Sequence, residues 1–500
     1  MVSLAFVSPS VVALSCIVVI IVSIAHRIIY NVYFHPLRSY PGPFWAKATV
    51  LWHLYHIYHA DNHKAVHQLH LKYGPVVRVA PNEIVYTSPN IWKPIFGHKV
   101  NAPENVKDPS QSFRVVQGSQ RDSMLMAPRE EHGKMRRLLS HSFSDKALKE
   151  QEPIFTHYVD LLMEKLHDAC VEPVDIVKWF NFTTFDIIGH LVFAEPFDCL
   201  SSTEYHFWVA FFFHTVKAIS WSRALNRLSS SIVPALMRLL PKRILNKGLL
   251  HFEMSKEKLA RRRQRQLDYT DFLSGWISAE EKGILDPEDL EMNVPLLIGA
   301  GSETTATLLS GATYLIGKDP RVYRILVEEI RSAFQTKEDI RMDRLPELKY
   351  LSAVLDEALR LYPPTPTNRV RLLPPQGMTI EGQYVPGNTL VGINFYAAFR
   401  SESNFHRGEE FVPERVLRDE RADDEWSHDR RDVLQPFSYG PRNCIGRHLA
   451  LVEMRLIMAR LLYEFDVEIM PENEDWLDQK SYAVWEKPPQ MVRLRPVVKA

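Results

Sequence analysis

One cysteine in this sequence stands in a setting that suits a metal ligand. Residues 437–446 read Phe-Ser-Tyr-Gly-Pro-Arg-Asn-Cys-Ile-Gly, so Cys444 lies between Gly440 and Gly446 and just behind Arg442. An apolar helical pattern follows at once (Leu449, Ala450, Val452, Met454, Leu456, Ile457). At a helix N-terminus the backbone N–H groups and the helix dipole favour thiolate over thiol, the form that binds a metal. The two glycines allow a tight turn and close approach of a flat ligand, and Phe437 can cover the sulfur from water. A second stretch, Ala300-Gly301-Ser302-Glu303-Thr304-Thr305, interrupts an apolar helical run from Asp289 to Leu315. Glycine and threonine cost about 0.5–1 kcal/mol each there relative to alanine, so they serve something other than helix stability. Gly301 would let a planar group lie against the backbone, a threonine hydroxyl can open the ladder and hold water, and Glu303 adds a titratable carboxylate. Glu357 and Arg360 fall at i and i+3 on one helix face, and Arg415 follows a proline turn downstream. His132 and Arg136 are one helical turn apart.

The cysteine stretch resembles the haem-binding loop of the cytochrome P450 superfamily, Phe-x-x-Gly-x-Arg-x-Cys-x-Gly, matched at Phe437, Gly440, Arg442, Cys444 and Gly446. By that resemblance Cys444 is the axial thiolate on the iron of haem b, pushing electron density toward O–O cleavage. Residues 300–305 are similar to the superfamily's oxygen-activating helix. The likeness makes Thr304 the hydrogen-bond partner of bound dioxygen, Glu303 a proton relay and Gly301 part of the haem site. Glu357, Arg360 and Arg415 resemble the Glu-x-x-Arg helix and its partner segment, which implies a buried ion network locking the cysteine loop. The His132 to Arg136 spacing resembles the Trp-x-x-x-Arg element, with histidine in place of tryptophan. It implies that His132, Arg136, Arg371 and Arg442 hold the haem propionates, with Arg369 competing for the place of Arg371. The likeness spans the whole chain, and Tyr73-Gly-Pro-Val-Val-Arg-Val-Ala-Pro-Asn-Glu83 and Tyr396-Ala-Ala-Phe-Arg-Ser401 look like filamentous-fungal members that oxidise secondary metabolites.

These groups need a scaffold, and the chain supplies one of mainly α class with small β-sheets behind one N-terminal transmembrane helix. Of its 500 residues 46% are hydrophobic, ample for a large core, and 60 basic residues balance 60 acidic ones, so nothing indicates nucleic acid. Four scattered cysteines make no disulfide framework and fit a reducing compartment. Leu4 to Ala25 is uncharged and would span ~33 Å as a helix, enough for a bilayer. No basic segment precedes it and no cleavage site follows, which favours an anchor over a signal peptide. Arg27 and Arg38 lie after it and place the rest in the cytosol, so the Asn181-Phe182-Thr183 glycosylation pattern goes unused. The expected division is an anchor at 1–26, a proline-rich hinge at 27–45 and a catalytic domain at 46–500.

Along that domain the periodicity predicts a helix over 60–73, a hairpin of 76–79 with 84–87, and a long loop with one short helix over 101–128. Helices follow over 131–142, 147–168, 174–193, 205–219, 232–240, 289–315 and 351–361. Strand-like runs at 378–380 and 389–393 imply a second sheet separate from the first. The aromatic stretch Trp208 to Trp221 reads as core, as a lid or as a membrane contact. The basic run Lys256 to Arg265 reads as a solvated helix face or a docking surface for an acidic redox partner.

The resemblance implies a single-pass endoplasmic reticulum enzyme facing the cytosol. It would hydroxylate or epoxidise a lipophilic molecule with O2 and electrons from an NADPH-dependent reductase, cytochrome b5 being a second donor. No Gly-x-Gly-x-x-Gly fingerprint is present, so no built-in reductase is indicated. A haem-thiolate isomerase or dehydratase, or a non-catalytic membrane haem protein, would also keep the cysteine loop.

Overall fold

The computed structural model describes residues 9–99, 103–111, 121–229, 231–239, 242–417 and 425–497. The N-terminal apolar run forms α1 (Pro9–Ile29), and one π-helical turn continues it to Phe34. Ser10–Phe34 is long and apolar enough to cross a membrane, and its most apolar window is entirely uncovered by the rest of the chain. Helix therefore runs through Arg27 into the expected hinge, and the non-helical proline segment is confined to residues 35–43. Two short helices then precede the first long one: α2 (Phe44–Ala48), α3 (Leu51–His59) and α4 (Asn62–Tyr73). Ala60, in the left-handed region at φ 59°, divides α3 from α4.

β1 (Val76–Ala80) and β2 (Glu83–Tyr86) form the expected hairpin around Pro81 and Asn82. Of the stretch expected as a long loop, the described parts contain β3 (Val106–Lys107) and one 3-10 turn. The middle of the chain is helical: α5 (Arg129–Ser140), α6 (Asp145–Ala169), then the two-residue β4 (Val174–Asp175), α7 (Ile176–Phe193) and α8 (Cys199–Ser202). α9 (Phe207–Asn226), α10 (Ile232–Leu239), α11 (Lys242–Arg263) and α12 (Ser274–Glu281) lead to the longest helix, α13 (Pro287–Lys318). α13 starts on a capping box between Asp286 and Asp289, with Pro287 in the first turn. α14 (Pro320–Ala333) and α15 (Lys349–Leu361) complete the helical part.

Four strands follow, β5 (Asn368–Leu372), β6 (Met378–Ile380), β7 (Gln383–Val385) and β8 (Leu390–Asn394). They do not make a separate second sheet. β8 runs parallel to β2, giving one five-stranded sheet in the order β1-β2-β8-β5-β3, while β6 pairs only with β7. Local alternation identifies strands but carries no information about which distant strand they join. The remaining elements are α16 (Phe395–Ala398), α17 (Arg447–Glu464), β9 (Phe465–Ile469), β10 (Lys480–Ser481), β11 (Trp485–Glu486) and β12 (Met491–Pro496).

α7 is apolar nearly all round and almost wholly buried, and the main core forms where α7, α15 and α17 enclose α13. Small residues make these crossings close. A Cβ on Gly311 would stand 2.1 Å from the Tyr362 ring at the end of α15. The basic run after Lys256 is a partly exposed helix face whose cations are engaged in ion pairs. Arg262 is buried on Asp271, Lys258, Arg261 and Arg265 share Glu195, Arg263 pairs with Glu280, and Lys256 pairs with Glu291. In the aromatic stretch, the side chains of 207–215 lie outside the described residues, and Trp221 is partly exposed and stacks on Tyr58 at 6.3 Å.

Candidate active site

Cys444 lies in the turn that leads into α17, with Gly446 as the helix N-cap. Its N–H donates to the Phe437 carbonyl at 2.8 Å, closing the loop on itself. Gly440 is required here. At φ 75° it occupies the left-handed region, and a Cβ would fall 2.0 Å from the Phe96 carbonyl oxygen. Gly446 has ordinary backbone angles, and a Cβ there would stand 4.0 Å from Cys444 Sγ, so its bareness keeps the sulfur clear without easing the turn. The thiol is exposed, yet the surrounding protein is dense. Burial accordingly pushes its pKa up, against the Gly446 N–H and the charges of Arg136 and Arg369, which pull it down.

α13 is uncovered at one stretch. Ala300 is exposed and Gly301 and Thr304 half-exposed, although Ser302 and Glu303 between them are buried and the helix is enclosed by three others. Thr304 donates its hydroxyl to the Ala300 carbonyl at 2.7 Å. Ser302, Thr305, Ser310 and Thr313 bond back to the i−4 carbonyl in the same way, which is how so polar a stretch is tolerated inside a core helix. Gly301 does not serve as the bare patch expected for a planar group. A Cβ there would stand 2.5 Å from Cδ1 of Ile188, so the glycine permits the crossing with α7. Glu303 also departs from expectation. It is 1% exposed and turned to the flank of α13, where it pairs with Lys487 and accepts from Thr307 at 3.2 Å.

Cations converge beyond the cysteine. Lys107 and Arg371 are direct cross-strand partners of β3 and β5, a placement in which like charges repel. Burial, then Arg371, Arg442, Arg369 and Arg223, hold the Lys107 pKa well below its usual range. Arg371 is lowered to about 10 by burial and by Arg442 and Arg369, and Arg369 to about 10 by burial and Arg223. His132, buried on α5, is lowered to about 4, first by burial and then by Arg442, Arg136, Lys107 and Arg371. The carboxylate recorded against this group is Glu104, 2.5 Å from Arg442, whose other nitrogen donates to the Ala127 carbonyl at 2.8 Å. Arg369 instead donates to Thr365 and stacks on Phe395, so Arg371 is the better placed of the two. Arg136 is occupied elsewhere. It donates to the Asn443 carbonyl at 2.7 Å and to Asn443 Oδ1 at 2.6 Å, bracing the cysteine loop.

The acidic network is built as its spacing suggested. Arg360 grips Glu357 with two hydrogen bonds of 2.9 and 2.8 Å, and Arg415 adds a third at 2.9 Å. The three side chains are 0–2% exposed. Arg360 also donates to the carbonyls of Phe399, Gly408 and Glu410, and Arg415 reaches Asp429 at 2.5 Å. These partners all belong to segment 399–429, so the network fixes the chain leading into the cysteine loop, and the loop's own brace is Arg136. Sequence reasoning missed Lys107, Asp429, Asn443 and Lys487. Asn443 fills a variable position of the cysteine loop, Asp429 lies 14 residues from Arg415, and Lys107 and Lys487 are recruited by contacts from far along the chain.

The chain matches the family described as Cytochrome P450 over residues 41–494. It belongs to the cytochrome P450 family. Among similar proteins, Cytochrome P450 monooxygenase astJ of Aspergillus oryzae is 41% identical over 94% of both chains. Cytochrome P450 monooxygenase astA of Talaromyces wortmannii is also 41% identical over 94% of both. A trichothecene C-15 hydroxylase of Fusarium sporotrichioides is 39% identical over 94% of this chain and 95% of its own. The chain is thus an oxidoreductase of the P450 monooxygenase family, whose members carry a haem-thiolate iron and whose fold it has. The residues present fit that group: an exposed sulfur in the cysteine loop, an uncovered hydroxyl-bearing stretch of an otherwise buried helix, and a cluster of basic side chains around Arg371.

Proposed function

We propose that this protein binds haem b through Cys444 and inserts one oxygen atom of O2 into a lipophilic small molecule of fungal secondary metabolism. Electrons would come from a separate NADPH-dependent reductase, with cytochrome b5 as a further donor. α1 would anchor the enzyme in the endoplasmic reticulum with the catalytic domain in the cytosol. The observation that carries the reading is the convergence of four basic side chains, Lys107, Arg371, Arg442 and His132, on one edge of the site, a donor set that suits a dianionic ligand edge. Haem supplies iron chemistry that activates dioxygen and, through thiolate ligation, favours O–O cleavage.

The chain's own residues then divide the work. Cys444 presents its sulfur, Arg136 and Asn443 hold its loop, and Phe437 lies over the turn. Thr304 places a hydroxyl oxygen at the reacting face, and Glu303, one residue earlier, is the acid that can supply protons to it. The buried walls of α7 and α13 exclude water and favour an apolar substrate. Relatives whose names say monooxygenase or C-15 hydroxylase support oxygen insertion as the reaction class.

The test is the carbon monoxide difference spectrum of the reduced protein, followed by NADPH and oxygen consumption with a reductase and by metabolite profiling of a deletion strain. A thiolate-type Soret band lost in Cys444→Ala, and an accumulating unoxidised precursor, are the expected results. A redox-neutral conversion, or a band retained in the variant, would overturn the reading.

A further inference from the structure

Two half-buried arginines, Arg223 on α9 and Arg369 on β5, belong to none of the ion networks described above. Arg369 shares a face of β5 with Arg371, two residues on. One of its nitrogens donates to Thr365, and its guanidinium lies over the buried Phe395 ring at 5.5 Å. Arg223 makes one bond, from Nε to the Gln111 carbonyl at 3.2 Å. Among the described residues, Nε and Nη1 of Arg369 and both Nη groups of Arg223 carry no hydrogen bond, and neither side chain has a carboxylate partner.

The arginine four residues after Arg223 shows what a structural cation looks like in this place. Arg227 pairs with Glu83 and, at 2.9 Å, with Asp108, and Glu83 also accepts from Asn368 at 3.0 Å. Asp108, whose charge reaches Arg223, is committed to Arg227 and to the Ser110 N–H at 2.9 Å. α9, β5 and residues 112–120, which continue from Gln111, contain no acidic residue. The two arginines also act on each other. Burial and then the Arg223 charge lower Arg369 to about 10, against the Cys444 charge, so Arg369 is within reach of both α9 and the cysteine site and stays cationic at neutral pH. The haem edge closes without them. Two propionates and Glu104 would match Lys107, Arg371 and Arg442, with His132 neutral above about pH 4. Two adjacent guanidiniums without an anion are costly in such surroundings, and the cost is removed when a ligand brings the anion.

We propose that Arg223 and Arg369 bind the carboxylate of the substrate, so that the lipophilic molecule oxidised here is an acid held by its charged end. The inference rests on the reading of the chain as a haem monooxygenase and narrows its substrate class. The free edges of two planar guanidiniums offer paired N–H donors, which suit the two oxygens of a carboxylate. One arginine comes from α9 and the other from the sheet, so the bound acid also ties those elements together. The carboxylate is held and not consumed, and oxygen insertion falls elsewhere on the molecule.

The test titrates full-length, haem-loaded protein at neutral pH with dodecanoic acid, methyl dodecanoate and dodecyl phosphate. The readouts are the dissociation constant from equilibrium dialysis, the Soret shift on binding and the haem content per chain. The wild type should bind the acid about tenfold tighter than the ester, with the gap narrowing as salt rises. Arg369→Gln and Arg223→Gln should each weaken the acid about tenfold and the ester less than about twofold, with haem content unchanged. Arg369→Lys and Arg223→Lys keep the charge but not the paired donors, and should recover part of the loss. If Arg369→Gln does not load haem, Arg369→Lys and Arg223→Gln decide. Equal binding of acid and ester, binding of neither, an acid preference unchanged in the variants, or tighter binding of the phosphate overturns the carboxylate site. Haem loss in Arg369→Lys with the acid preference intact returns that residue to the propionates and overturns it too. A wild-type protein without the thiolate-type Soret band overturns instead the reading on which the inference rests.

Discussion

Two clusters of basic side chains in this protein differ in how their charge is balanced. Around Glu357 each cation meets a carboxylate or a row of carbonyls, with Asp429 balancing the second arginine. Around Lys107 and Arg371 cation faces cation across a strand pair, and Glu104 is the recorded counter-charge. The first cluster is fully buried and the second partly so, with Lys107 and Arg442 half-buried. Charge balance separates them: the first cluster is complete without a ligand, and the second is completed by one.

The sharpest way to break the contrast is Glu357→Gln. It strands Arg360 and Arg415, and unfolding by denaturant should register a loss of about 3–5 kcal/mol, with little haem-loaded protein recovered. The reverse is expected of Lys107→Met with Arg371→Met. Thermal stability of the haem-free protein should hold or rise as the repulsion across β3 and β5 is relieved, while haem retention in a transfer assay falls about tenfold or more. Lower stability with unchanged retention would place these residues with the structural cluster.

A smaller effect separates His132 from both. An unfolded histidine takes its proton near pH 6.5, whereas folded His132 takes one only near pH 4, so acidification between those values favours the unfolded chain. His132→Gln should flatten that part of the stability loss in haem-free protein, read from Tm against pH. The smallest change belongs to Lys256→Gln, whose pairing with Glu291 at 2.9 Å is partly exposed, and the shift should stay within about 0.5 kcal/mol.

The same contrast explains what could be read from sequence. Glu357, Arg360 and Cys444 announce themselves because helix period and loop glycines are local properties, and the hairpin of β1 with β2 follows from alternation around Pro81 and Asn82. α2 and α3 escaped because residues 44–59 mix aromatics and histidines with little helical contrast. Lys107 and Lys487 were illegible for another reason. Their roles depend on which distant strand or hairpin lies beside them, and pairing of β8 with β2, which sets the sheet, joins residues about three hundred apart. Gly301 misled because a glycine in a helix has the same spelling whether it faces a ligand or, as here, Ile188.

The ion pair between Glu303 and Lys487 also has a history within each molecule's synthesis, because 184 residues separate its members. At ribosomal speed that gap is roughly 10–40 s, during which α13 has emerged and its acid has no ammonium to meet. That face of the nascent helix must therefore stay hydrated until the last hairpin arrives. Any chain released short of residue 487 keeps that problem permanently, and is marked for proteolysis by its own unfinished interior.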